Sequence, residues 1–304
     1  VLCEENPIKA DHRMVTPIEV LYLGGVGRSG STLLEMMLAQ SPDVAALGEV
    51  VHLWRRGVQR NQLCSCRLPF VECPFWTEVG ERAFGGFASV PLERLEWLKS
   101  RIDRQRYAPL LASPLLPAAR AAAASEYAGY FERIYRAAHE TAGGLVLDSS
   151  KHPSLAFILA RHPRISLRVV HVVRDSRGVA YSHSRWVKRP ETTGDLYMPR
   201  AGAAGTAATW LSHNAMFELL RRRGVPVMRL RYEDLVTDPA GSLLEVRRFA
   251  GLAELEGVAE FLASEGSPQR SVHSVSGNPL RFSDAPFRIR PDEAWRTEMS
   301  ARER

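Results

Sequence analysis

The sequence predicts an α/β protein with a P-loop-like central parallel β-sheet flanked by helices. Three observations carry that prediction. Short apolar runs alternate with segments of helical periodicity, as in successive βαβ units. The first such run, Val20-Leu-Tyr-Leu23, leads into a glycine-rich turn that opens a helix. The later runs end in polar clusters, and a parallel sheet binds its ligands beyond the carboxyl ends of its strands.

Taken in order, residues 20–23 read as a buried strand and residues 32–40 as the helix after the turn. Residues 42–91 read as short helices mixed with a Cys- and Pro-rich loop. Residues 92–104 and 118–142 carry helical periodicity. In the second, Tyr127, Tyr130, Phe131, Ile134 and Tyr135 form an aromatic stripe suited to a core. Further strands are expected at 145–147, 167–173 and 225–230, the middle one leading into a helix through Trp186. Residues 188–205 and 266–291, punctuated by Pro and Gly, read as mobile loops that order over a ligand. Residues 14–304 are expected to form a single domain. Residues 1–13 read as a disordered extension or tag, with Met14 a candidate start.

The 304 residues, 45% hydrophobic and 24% charged, suffice to bury a substantial core and exclude a disordered polymer. No apolar run reaches the roughly 20 residues of a membrane helix. The polar N-terminal stretch lacks the apolar core of a secretion signal, so the expected location is cytoplasmic. Net charge is +6, and only Lys9, Lys99, Lys151 and Lys188 are lysines, so Arg supplies most of the positive charge. That balance suits an anionic ligand. It comes without zinc-finger, helix-turn-helix or aromatic–basic strand patterns, so nucleic acid is not an expected partner.

Three of the four cysteines cluster in Cys64-Ser-Cys66-Arg-Leu-Pro-Phe-Val-Glu-Cys73-Pro-Phe-Trp76. Three readings stay open: zinc with a distant fourth ligand such as His52, one disulfide, or buried free thiols in a Pro-rich loop. The spacing is not a usual zinc spacing, and no metal is expected.

Gly24-Gly-Val-Gly27-Arg28-Ser29-Gly30-Ser31-Thr32 lies between strand and helix. Glycines allow a tight turn that aims several N–H groups at one anion, and the helix N-terminus adds partial positive charge. Residues 25–32 nearly match G-x-x-x-x-G-K-[ST], but Ser31 stands where a nucleotide triphosphatase has its lysine. That substitution removes the usual contact to the β- and γ-phosphates. The alternative reading, a P-loop phosphotransferase or nucleotide hydrolase with Asp148 holding Mg²⁺, is weakened by it. A second cluster runs from Arg174 to Ser182 after a strand and supplies a cation and a hydroxyl for another phosphate.

Together, the Gly27–Thr32 loop and the Val173-Arg174-Asp175 to Ser182 segment resemble sulfotransferases that use 3′-phosphoadenosine 5′-phosphosulfate. Residues 24–49, with Arg28, Ser41-Pro-Asp43 and Gly48-Glu49, are similar to tyrosylprotein sulfotransferases, as is Arg231-Tyr232-Glu-Asp-Leu235 through Asp238-Pro239. The Cys-Pro-Phe-Trp loop and Ser276-Gly-Asn-Pro-Leu-Arg281 resemble a bacterial branch of the superfamily. The resemblance implies a sulfuryl transferase with that donor as co-substrate, no required metal, and a small-molecule hydroxyl acceptor such as a secondary metabolite, glycolipid or sugar.

Sulfuryl transfer needs a cradle for the sulfuryl oxygens, a cation at the departing phosphate, and a base for the acceptor hydroxyl. The resemblance assigns the 5′ side to Gly27, Arg28, Ser29, Gly30, Ser31 and Thr32, with Arg28 and Lys151 contacting the transferring group. It places the 3′-phosphate at Arg174 and Ser182, joined by Asn278 and Arg281, and sets Tyr232 against nucleotide or donor phosphate. Glu49 and His152 are the two candidate bases. Glu49 has the better-matching register.

Overall fold

The computed structural model describes residues 16–190, 196–254, 272–283 and 289–300. The expected extension at 1–13 lies outside the described residues, as do parts of both expected loops (191–195, 266–271 and 284–288).

Five strands form one all-parallel sheet: β1 (Ile18–Gly25), β2 (Val44–Gly48), β3 (Leu145–Lys151), β4 (Ile165–Val173) and β5 (Val227–Arg231), in the order β2-β3-β1-β4-β5. β1 is central, with Val20 opposite Val146 on one side and Leu167 on the other. Its near-continuous apolar run follows from burial on both faces.

Successive side chains of β1 point to opposite layers. Tyr22 enters a large core with Trp54, Trp76, Phe131, Phe157 and Phe217. Leu21 and Leu23 enter a smaller one with Leu34, Met37, Val170 and Leu243. The helices flanking the sheet, in chain order, are α1 (Ser31–Leu38), α2 (Pro74–Phe84), α3 (Leu92–Ile102), α4 (Ala108–Leu111), α5 (Ala118–Ala142), α6 (Pro153–Ala160), α7 (Ser176–Ser184), α8 (Ala203–Arg222), α9 (Tyr232–Thr237) and α10 (Pro239–Ala250); α7 packs instead in a small cluster with Trp295 and Met299. The α5 stripe is core: Tyr127, Phe131, Ile134 and Tyr135 are fully buried.

Two departures from the sequence expectation matter. Val44-Ala-Ala-Leu-Gly48, expected within a helical and loop region, is the edge strand β2, paired with β3 from Val44↔Leu145. Its alanines carry little strand preference, and tertiary pairing overrides it. α7 ends at Ser184, before Trp186, whose side chain is exposed.

Backbone devices concentrate at the carboxyl edge of the sheet. Between β1 and β3 the pairing passes from Tyr22↔Asp148 to Gly24↔Lys151, leaving one extra residue on β3. Such a bulge re-aims the side chain that comes after it. Lys151 takes a left-handed φ of 70°, and Arg28 one of 73°. Left-handed backbone at non-glycine residues costs energy and marks positions where side-chain direction matters. Gly25 has φ 135°, and a Cβ there would sit 2.4 Å from the Val172 carbonyl oxygen. Because that oxygen belongs to sheet backbone, Gly25→Ala is expected to cost more than about 1–2 kcal/mol; urea denaturation measures the loss.

Candidate active site

Each strand delivers a functional side chain just past its carboxyl end. β1 leads into the glycine loop, β2 into Glu49, β3 ends at Lys151, β4 runs into Arg174, and β5 into Tyr232. One cleft of about 340 Å³ is lined by Gly27, Arg28, Gly30, Ser31, Thr32, Glu49, Lys151, Arg174, Ser182, Tyr232 and Asn278, among others.

The glycine loop is held from both sides. His183 Nε2 lies 3.2 Å from the Gly27 carbonyl oxygen, and His213 Nδ1 lies 3.2 Å from that of Gly25. Gly30 caps α1 with φ 94°, and a Cβ on it would meet the Tyr232 ring at 2.5 Å. Its lack of a side chain lets the aromatic ring close over the helix N-terminus.

Arg174 links the segment after β4 to the glycine loop. Its Nη1 donates to the Arg28 carbonyl at 3.3 Å, and its guanidinium lies 4.4 Å over the Tyr232 ring. Trp210 Nε1 donates to the Arg174 carbonyl at 2.9 Å. Asp292 accepts from Arg174 Nη2 at 3.0 Å through both its side chain and its carbonyl. The Arg174 guanidinium is therefore already paired with a carboxylate.

Glu49 and Lys151 form a close ion pair inside the cleft. Burial alone raises a carboxyl. The Lys151 ammonium, with His52 and Arg56 nearby, outweighs that effect and holds Glu49 at about 2. His52 Nε2 approaches Glu49 Oε2 at 3.5 Å, and its ring packs edge-on against His152 with centroids 5.9 Å apart. Burial pushes both imidazoles below their usual range, so they are neutral near pH 7.

The structure places four of the sequence-predicted residues as follows. His152 is not among the cleft-lining residues; its carbonyl accepts from the Tyr22 hydroxyl at 2.9 Å, and it precedes α6 as its N-cap. Ser29, within the glycine loop, has a buried side chain. Arg281 is also buried: its Nη atoms donate to the carbonyls of Ser274 (2.6 Å) and Leu63 (3.1 Å), tying the 272–283 segment to the cysteine loop. His52 belongs to Glu49, and the histidine that meets Cys64 and Cys73 is His273.

Asp148 bears on the phosphotransferase alternative. It is fully buried, accepts hydrogen bonds from Tyr135 and Ser150, and is raised to about 6 by burial. A Mg²⁺-holding carboxylate has to reach the phosphates. Asp148 faces the core.

A glycine loop on the carboxyl edge of a parallel sheet, with cations and a carboxylate from neighbouring strands, is the layout of a P-loop-like α/β protein. Residues 21–256 match the sequence model of the Sulfotransferase family, and the chain belongs to that family. Carbohydrate sulfotransferase 7 of Rattus norvegicus is 26% identical over 354 aligned positions, covering 92% of this chain and 69% of the relative. The Mus musculus protein of the same name is 25% identical, with the same coverage of each chain. The sulfotransferase domain from the Synechococcus PCC 7002 olefin synthase superposes with a TM-score of 0.51 at 21% identity, covering 96% of this chain and 92% of that one. No helix among the described residues is long and apolar enough to cross a membrane.

The ion pair generates a stability prediction. Lys151→Met leaves the Glu49 carboxylate buried without its partner and is expected to cost about 3 kcal/mol. The double variant Lys151→Met/Glu49→Gln recovers most of that in thermal unfolding at pH 7. A carboxyl held below its unfolded value contributes stability that is complete above about 4.5 and lost as pH falls toward about 2. Wild-type stability should therefore fall more steeply through that window than that of Glu49→Gln.

Proposed function

We propose that the protein transfers a sulfuryl group from 3′-phosphoadenosine 5′-phosphosulfate to a hydroxyl of a carbohydrate or carbohydrate-bearing small molecule. The observation that carries the reading is the convergence of the Gly27–Thr32 loop, Lys151, Arg174 and Glu49 on one cleft. The donor set suits the ligand: backbone N–H groups and hydroxyls at a helix N-terminus for the phosphosulfate, and a guanidinium with Ser182 for the 3′-phosphate.

Arg28 and Lys151 stabilise charge on the sulfuryl oxygens and the departing phosphate. Sulfuryl oxygens drawing on the Lys151 ammonium loosen its hold on Glu49, and the carboxylate becomes a better base as its partner is shared. Glu49 then accepts the acceptor hydroxyl proton as the oxygen attacks sulfur opposite the phosphate. His152, whose imidazole burial keeps neutral and whose carbonyl is tied to the Tyr22 hydroxyl, is the less favoured base.

The carbohydrate acceptor is supported by the names of the curated relatives and by an exposed aromatic pair adjacent in sequence to a cleft-lining residue. Trp186 and Tyr197 form an exposed edge-to-face pair with centroids 5.2 Å apart, and Met198, next in the chain, lines the cleft. Sugar rings present apolar faces that pack on exposed aromatics of this kind. Trp54, by contrast, is buried in the larger core and offers no face to a ligand.

Calorimetric titration in EDTA tests the donor site: adenosine 3′,5′-bisphosphate is expected to bind, and ATP and AMP to bind far more weakly. Selective ATP binding that requires Mg²⁺ overturns the reading. Arg174→Ala should weaken bisphosphate binding roughly 10- to 100-fold, the loss of a charge-assisted contact. Glu49→Gln should leave that affinity intact and lower turnover by about 10²–10⁴. In a sulfuryl-transfer assay over carbohydrate acceptors, Trp186→Ala is expected to raise the acceptor KM without changing bisphosphate affinity.

A further inference from the structure

The cysteine loop and His273 come together although about two hundred residues separate them. Sγ of Cys73 lies 3.6 Å from that of Cys66 and 3.7 Å from that of Cys64. Nδ1 of His273 lies 3.2 Å from Cys73 Sγ and 3.9 Å from Cys64 Sγ. All four ligand atoms fall within 4.8 Å of one another, and the three cysteines are free thiols.

These spacings have a chemical meaning. A disulfide needs sulfurs about 2.05 Å apart. A tetrahedral zinc ion with Zn–S of about 2.3 Å and Zn–N of about 2.0 Å holds its ligands about 3.7 Å (S–S) and 3.5 Å (S–N) apart. The four distances scatter around the second pattern, and no sulfur pair approaches the first. We propose that Cys64, Cys66, Cys73 and His273 form a structural zinc site. It is closed, with four protein ligands and no position left for substrate, and lies apart from the residues that line the cleft.

The surroundings are built for it. A backbone N–H lies against each sulfur: that of Cys66 on Cys64, of Leu68 on Cys66, and of Trp76 on Cys73. Such bonds orient and stabilise ligating thiolates. The loop closes through Arg67 N–H donating to the Cys64 carbonyl at 2.8 Å, with Arg67 at φ 69°. The His273 ring stacks on Phe75, with centroids 5.0 Å apart and planes 14° apart. Its carbonyl accepts from Trp76 Nε1 at 2.8 Å, and Ser65 hydrogen-bonds the residues on either side of it. As each Zn–S bond forms, the thiol's proton passes to solvent.

The site fastens the 272–283 segment. From His273 that segment runs past β2, where Val275 N–H donates to the Leu47 carbonyl and Glu49 N–H to the Ser276 carbonyl, and reaches the cleft at Asn278. Zinc would thus anchor a strap whose other end holds the backbone of Glu49.

The test begins with the full-length wild-type chain expressed in zinc-supplemented medium and purified without chelator. Elemental analysis should give about one zinc per chain. His273→Gln and Cys66→Ser should each weaken zinc affinity more than about 100-fold in chelator competition. Cys66, the half-buried one of the three cysteines, supplies the second variant if His273→Gln fails to fold. In a Cys3→Ser background, the three cluster thiols should resist a thiol reagent until a mercurial releases the metal, and zinc release should then track their modification. Three freely reactive thiols without metal, a disulfide detected by non-reducing mass spectrometry, or iron with sulfide absorbance would each overturn the proposal.

Discussion

The architecture depends on one constraint: all five strands run in the same direction, so all five carboxyl ends emerge on one edge. A parallel sheet needs long crossovers between strands, here supplied by helices that cover both faces and keep its backbone away from water. With the edge fixed, a functional residue needs only to be the first or last polar residue of its strand. Glu49, Lys151, Arg174 and Tyr232 meet that condition on four different strands, around the glycine loop of the fifth. The bulge before Lys151 and the left-handed backbone at Arg28 and Lys151 supply the remaining turn. Two well-packed cores hold these conformations in place.

Charge in the cleft is arranged as exchangeable pairs. Lys151 meets Glu49, and Arg174 meets Asp292. Clustered cations repel one another, and two carboxylates keep them in place at a cost smaller than leaving them unpaired. Under the proposed function, the donor's 3′-phosphate competes for Arg174 and its sulfuryl group for Lys151. The two carboxylates then have different fates. Asp292, over a third exposed, returns to water, while Glu49 at 15% exposure stays in the site. A carboxylate that cannot leave and has lost part of its counter-charge is driven toward a proton. The depressed Glu49 pKa and its proposed role as base are thus two consequences of one contact.

Much of this is legible in the sequence because it is local. The glycine turn, the 118–142 helix and the polar residues after apolar runs are patterns within a few residues of one another. Contacts imposed by distant segments leave no such mark. Nothing in Val44-Ala-Ala-Leu-Gly48 announces a strand; β3 makes it one. An Arg in a polar loop near a nucleotide site suits an anion, which is why Arg281 reads as a phosphate ligand. Its direction is instead set by the carbonyls of Leu63 and Ser274, one of them far away along the chain. His52 is the nearest histidine to the cysteines in sequence, but the helical turns after Glu49 carry it to the cleft side, and only the fold brings His273 to them.

The 272–283 segment couples the cleft to the cysteine cluster. Gly48 has φ 79°, and a Cβ on it would lie 2.9 Å from atoms of Ser274, Val275 and Ser276. The strap therefore packs directly on the backbone that presents Glu49. Ser274 Oγ donates to Glu35 on α1, the helix that begins in the glycine loop, so the same residue packs against the end of β2 and bonds α1. Glu35 is fully buried, and Ser149 on β3 donates to its other oxygen. Strap, α1 and β3 are thus joined through one carboxylate, just before Lys151 on β3. Cysteine-loop geometry, Glu49 backbone position and Lys151 direction consequently form a single mechanical unit, because displacing the strap breaks hydrogen bonds to a buried carboxylate that has no water to replace them.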